Sequence, residues 1–168
     1  MAHVMGVGVW QIGCYLTDGG KMGIRMSKRG LDLWTEALES GKYPQGEGWL
    51  CQISGEDEGK AEWCCLGVLC DVAIKDGLQL EQETGRCHDE CGDDAHSPVV
   101  KFAGYDATLP PEVRDHFDFE QVVEGFGGAH EYISIHKLIK WNDSSLSHEH
   151  KTFPEIAAKL REFVEVID

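Results

Sequence analysis

The chain lacks any apolar run approaching the roughly 18 to 20 residues of a membrane span. A bilayer is therefore not expected among its partners. Basic residues are scarce: 15 Lys and Arg stand against 30 Asp and Glu, a formal charge of −15. Sequence-independent binding to DNA or RNA needs clustered cations that displace counterions, so nucleic acid is excluded as a partner on the same ground. Met1 to Leu16 has no basic n-region, so it does not read as a signal peptide. The Gly125-Phe126-Gly127-Gly128 run has no Gly-Lys-Ser/Thr ending, and it is not a phosphate loop. Internal repeats and Pro- or Ser-rich linkers are also missing.

What is present suits one core. The chain has 168 residues, 42 % of them hydrophobic, with five Trp, four Tyr and six Phe as large anchors. Seven cysteines is an odd number in a chain too long for a typical disulfide scaffold. Reduced thiols in a cytosol fit better, several of them as plain core residues.

Local patterns predict an α+β domain over residues 27–168, with residues 1–26 as an N-terminal extension; within it, Val7 and Val9 could form an edge strand. Ser27 caps a helix whose Leu31, Trp34, Ala37 and Leu38 share a face, and Gly41 ends it. A hairpin is expected over about 49–64, with strands near 78–83 and 99–109 completing a small antiparallel sheet. Three or four helices pack on that sheet. Cys65 to Lys75 is apolar nearly all round, which predicts a buried central helix. Gly67 within it predicts close approach of another backbone. Pro110 and Pro111 open a short helix, Glu120 to Glu131 reads as loose, and Ser134 caps a further helix. Thr152-Phe153-Pro154-Glu155 is a capping box before a last stripe that runs to Ile167.

Three constellations could carry chemistry. Cys87 and Cys91, with His96 five residues on, offer soft ligands for zinc; no other cofactor is implied. The fourth ligand stays open, and the alternative is a solvated polar insertion. Cys64-Cys65 stands at a strand-to-helix junction, where a thiol can be activated, although Trp63 and Leu66 beside it argue for burial. Two neutral loops follow well-defined helices: Lys42, Tyr43 and Gln45 in one, Asn142 and Asp143 in the other. Each sets an aromatic ring beside hydrogen-bonding groups, which suits a small planar ligand or a protein partner. The same Asn and Asp could equally serve the turns they occupy.

Four segments in order carry a resemblance. They are Leu33-Trp34-Thr35-Glu36-Ala37-Leu38-Glu39-Ser40-Gly41-Lys42-Tyr43-Pro44-Gln45-Gly46, then Trp63-Cys64-Cys65-Leu66-Gly67-Val68-Leu69-Cys70-Asp71, then Leu109-Pro110-Pro111-Glu112-Val113-Arg114, and last Trp141-Asn142-Asp143 with Thr152-Phe153-Pro154-Glu155-Ile156-Ala157. From about Leu33 to Ile167 the chain resembles a widespread family of small, uncharacterised proteins encoded by tailed bacteriophages. The resemblance brings no catalytic residues with it. It implies an accessory phage product in the host bacterial cytoplasm, binding a host protein or a small nucleotide-like immune signal without catalysis. Two other readings stand beside it: a zinc-supported hydrolase or zinc-stabilised module using Cys87, Cys91 and His96, and an acidic mimic that inhibits a basic host protein. A homo-oligomer is compatible with all three.

Overall fold

Ser27 does two jobs at the start of the fold. Its backbone ends a strand, β1 (Lys21–Ser27), and its hydroxyl accepts from Gly30 N to cap α1 (Lys28–Glu39). The computed structural model describes residues 21–53, 60–85, 98–124, 134–144 and 148–167. Within these, α1 is followed by the hairpin β2 (Cys51–Ile53) and β3 (Ala61–Trp63), then by α2 (Cys65–Lys75). Next come β4 (Gln82–Gly85), β5 (Val99–Phe102), α3 (Pro111–His116) and β6 (Glu120–Glu124). The last elements are α4 (Ile135–Asn142), α5 (Phe153–Phe163) and β7 (Glu165–Ile167).

The architecture of the described residues is α+β, five helices with two small sheets. One sheet runs β3-β2-β5-β4, antiparallel throughout, and contains the expected hairpin. The other runs β6-β1-β7, with β1 antiparallel to β6 and parallel to β7. Helix α1 lies against α5 on one side and α2 on the other. Its Trp34 is fully buried and donates its indole N–H to Cys65 O at 2.8 Å, joining α1 to the first residue of α2. Helix α2 is the central one: Leu66, Val68, Leu69, Cys70 and Ala73 are all buried. Gly67 sits where a Cβ would lie 1.7 Å from Leu50 O, so the close backbone approach is real, and Leu50 is the residue that makes it.

Four expectations need correcting. The boundary placed between residues 26 and 27 falls inside β1, whose Ile24 and Met26 are core residues. The strand expected at 78–83 forms at Gln82–Gly85 instead. Leu78 and Leu80 pack on the core from an extended connection, and Leu78 N closes the end of α2 on Ala73 O. Glu120–Glu124 is not loose but pairs with β1. The last helix stops at Phe163, because Val164 turns to φ −78°, ψ 127° and sends Glu165–Ile167 alongside β1. Residues 7, 9 and 125–131 lie outside the described residues, as do Cys87, Cys91 and His96. Among the described residues, no helix is long and apolar enough to cross a membrane.

Candidate functional site

The loop after α1 folds back as an extra strand-like edge. Gly46 N donates to Trp63 O and Trp63 N to Pro44 O, so residues 44–46 run parallel to β3. Gly46 can lie there because it has no side chain: a Cβ would meet Glu62 at 2.7 Å. The five residues singled out in the two loops then part company. Gln45 spans to the start of α5, donating from Nε2 to Lys151 O at 2.9 Å and accepting from Phe153 N at 3.1 Å. Both of its polar ends are engaged in holding the loop to α5.

Tyr43 turns to α2. Its hydroxyl donates to Asp71 at 2.5 Å and accepts from Lys75 at 2.8 Å, and Lys75 pairs with Asp71 at 2.6 Å. Its ring meets Trp63 edge-on, with centroids 5.6 Å apart. Burial, then the bond to Asp71, pushes the Tyr43 phenol up, and the bond to Asp71 pushes Lys75 up. Tyr43 and Lys42 line a cavity of about 420 Å³ between α1 and α2, whose apolar wall includes Leu33, Ala37 and Val72.

Asn142 and Asp143 face a different and larger cavity of about 640 Å³. It lies between the start of α2, the end of α4, Glu47-Gly48 and Ala107-Thr108, with Cys64, Cys65, Leu66 and Ile139 completing the wall. Asn142 is 1 % exposed and fully engaged. Its Oδ1 accepts from Cys65 N at 3.1 Å, while Nδ2 donates to Gly46 O at 2.7 Å and to Asp143 Oδ1 at 2.9 Å. One amide thereby holds the N-terminus of α2, the 44–48 loop and its neighbouring carboxylate. Asp143 is 6 % exposed. Its Oδ1 accepts from Gly48 N at 3.2 Å as well as from Asn142, and among the described residues nothing donates to Oδ2. Gly48, at φ +78°, holds the left-handed turn that aims this N–H.

Cys64 forms part of the same wall and caps α2 with its sulfur, which accepts from Gly67 N at 3.3 Å. Burial nevertheless pushes the Cys64 thiol up to about 11 and that of Cys51 up to about 12, and it drives Cys65 and Cys70 well above the ordinary range. The thiolate is the nucleophile, so none of these four is poised for attack near neutrality. The unfolded chain ionises its thiols near about pH 8.5. A raised folded value gives stability that is whole below that pH and drains away as pH climbs toward 11 and 12. Unfolding free energies from urea titrations between pH 7.5 and 10 should fall, by up to about 1.4 kcal/mol per pH unit for each thiol. Iodoacetamide at pH 8 should leave Cys51, Cys65 and Cys70 unlabelled until urea is added. A flat pH profile or rapid native labelling would refute the burial of these groups.

No three His, Cys, Asp or Glu side chains among the described residues are placed to hold a metal. The zinc reading rests on Cys87, Cys91 and His96, which are not among them. Several described surface carboxylates are paired with cations. Arg161 meets Glu39, Arg29 meets Asp76, Lys28 meets Asp32 and Arg25 meets Glu165.

A family model described as a domain of unknown function, DUF8296, matches residues 26–163. No curated protein matches the chain. No solved structure matches it either.

Proposed function

The chain belongs to the DUF8296 family, whose description assigns no activity, and from its own site we propose a non-catalytic binding protein with the Asn142–Asp143 cavity as its ligand site. The single observation behind this is a mainly apolar cavity of about 640 Å³ with a carboxylate oxygen that no described residue donates to. That combination, an apolar slot with one or two fixed polar groups, is the usual make-up of a small-molecule site. A catalytic reading has less to draw on, since the thiols at the cavity wall are held protonated and no described His lines it.

The ligand proposed is a small nucleotide-like molecule, its ring in the slot and its charged part in solvent. The biological setting is that of a phage accessory protein, which sequesters an immune signal in the host bacterial cytoplasm. Protein purified from phage-infected, defence-active cells should carry such a molecule, released on heating and identifiable by mass spectrometry. Adding it back to stripped protein should raise the melting temperature, by several degrees at saturation. A stripped chain that melts unchanged in extracts of such cells, and releases no small molecule, would remove this reading.

A further inference from the structure

We infer that the cavity selects a guanine base, through the open Oδ2 of Asp143. The inference rests on the binding reading above and adds the identity of the ring. Asp143 Oδ1 already accepts from Gly48 N and Asn142 Nδ2, which fills its two lone-pair directions. Oδ2 has no donor among the described residues, yet Asp143 is 6 % exposed and lines the cavity. Oδ2 is not among the sealed, partnerless polar atoms of the described residues; it opens on the cavity, where a ligand's donors can take the place of solvent.

The ring edge that answers this need can be chosen by elimination. Guanine presents N1–H and N2–H₂ side by side, two adjacent donors for one oxygen. Adenine and cytosine can direct one amino N–H at Oδ2, but each sets a ring-nitrogen lone pair beside it. Uracil and thymine flank their single N–H with two carbonyl acceptors. Each of these can give Oδ2 one hydrogen bond, weakened by the adjacent lone pair, where guanine gives two.

Size and charge narrow the ligand further. A guanidinium, such as the head of an arginine, offers the same donor edge but leaves most of a cavity of about 640 Å³ empty. A purine with its sugar fills more of it, flat against Leu66, Ile139 and Ala107. Phosphates cannot follow the base inward, because Glu47 and Asp143 line the cavity and the whole chain carries −15. The base enters, and the phosphates stay in solvent.

The test is calorimetric titration of the full chain with guanosine, inosine, adenosine and argininamide. Guanosine should bind, inosine should bind more weakly for want of the 2-amino group, and adenosine should be at least tenfold weaker. Asp143→Asn should remove the preference for guanosine over adenosine, with circular dichroism confirming its fold. Adenosine binding as tightly as guanosine would overturn the base assignment and leave the small-molecule site standing. Argininamide binding in preference to every nucleoside would also overturn it, and would point to a protein side chain as the occupant. If none of the four binds, the base assignment falls, and the extract experiment decides separately whether any small molecule does. The wild-type series discriminates between these outcomes even if Asp143→Asn fails to fold.

Discussion

Replacing Gly67 with Ala is expected to cost about 3 kcal/mol or more, a large share of the roughly 5–15 kcal/mol that holds an ordinary domain folded. Intrinsic preference argues the other way. Gly67 lies within α2 with helical backbone angles, and Ala there should gain about 1 kcal/mol of helix propensity. The neighbour decides the sign. The added Cβ would sit 1.7 Å from Leu50 O and 2.5 Å from Leu50 C. These are backbone atoms and cannot swing aside as a side-chain tip can. Leu50 is itself pinned, since its N–H donates to Asp106 O at 2.6 Å and its carbonyl accepts from Cys64 N at 3.2 Å. Moving Leu50 would therefore pull on β2 and on the 106–108 segment at once, and the second of these walls the ligand cavity. Gly41→Ala is the control. It meets nothing within 4 Å but sits at φ +67°, so it should cost only the roughly 1–2 kcal/mol of left-handed backbone. Urea denaturation of both variants is the measurement. A Gly67→Ala midpoint equal to the wild type would mean that the Leu50 backbone does not lie against α2.

How much of this is legible in the sequence depends on whether the signal is local. The hairpin, α1, α2 and the helix caps can be read because their cues sit within a few residues of one another. Ser27, Thr152 and Glu155 are examples: Thr152 N and Oγ1 both reach Glu155 Oε2 at 2.8 Å. The β6-β1-β7 sheet is hidden because its signal is distributed. Three residues of β7 look like one more helical turn until β1 is there to pair with them. β1 does show its alternation, with Ile24 and Met26 buried on either side of Arg25, but without knowledge of its partners it reads as part of an extension. The candidate site divides similarly. Asn142 and Asp143 can be named from their turn, whereas the residues opposite them come from three distant segments that only folding brings together: Gly48, Cys64 with Leu66, and Thr108. Gln45 and Tyr43 are visible as polar groups beside a helix end. What cannot be seen is that α5 and α2 already hold them.

Asn142→Ala should cost about 3–5 kcal/mol, the sum of two buried backbone groups left without partners and a lost contact to Asp143. The amide is 1 % exposed and makes three bonds, to Cys65 N, Gly46 O and Asp143 Oδ1, so water has little room to replace it. Asn142→Asp sharpens the point, because it keeps an acceptor for Cys65 N while deleting both donors. It also sets a second carboxylate against Asp143, so it should be no milder than Ala despite its nearly unchanged shape. Denaturation midpoints for the pair give the stability effect. An effect below about 1 kcal/mol for Ala would show that the amide is not the clamp described. Binding then separates the two neighbours. At a temperature where Asn142→Ala is still folded, loss of the clamp loosens the 44–48 loop at Gly46 and with it one wall of the cavity, so affinity should fall alike for every ligand. Asp143→Asn should instead change which ligand is preferred, with the wall intact. One residue builds the cavity and the next supplies its open acceptor, and a ligand series run on both variants can distinguish these roles where a single affinity cannot.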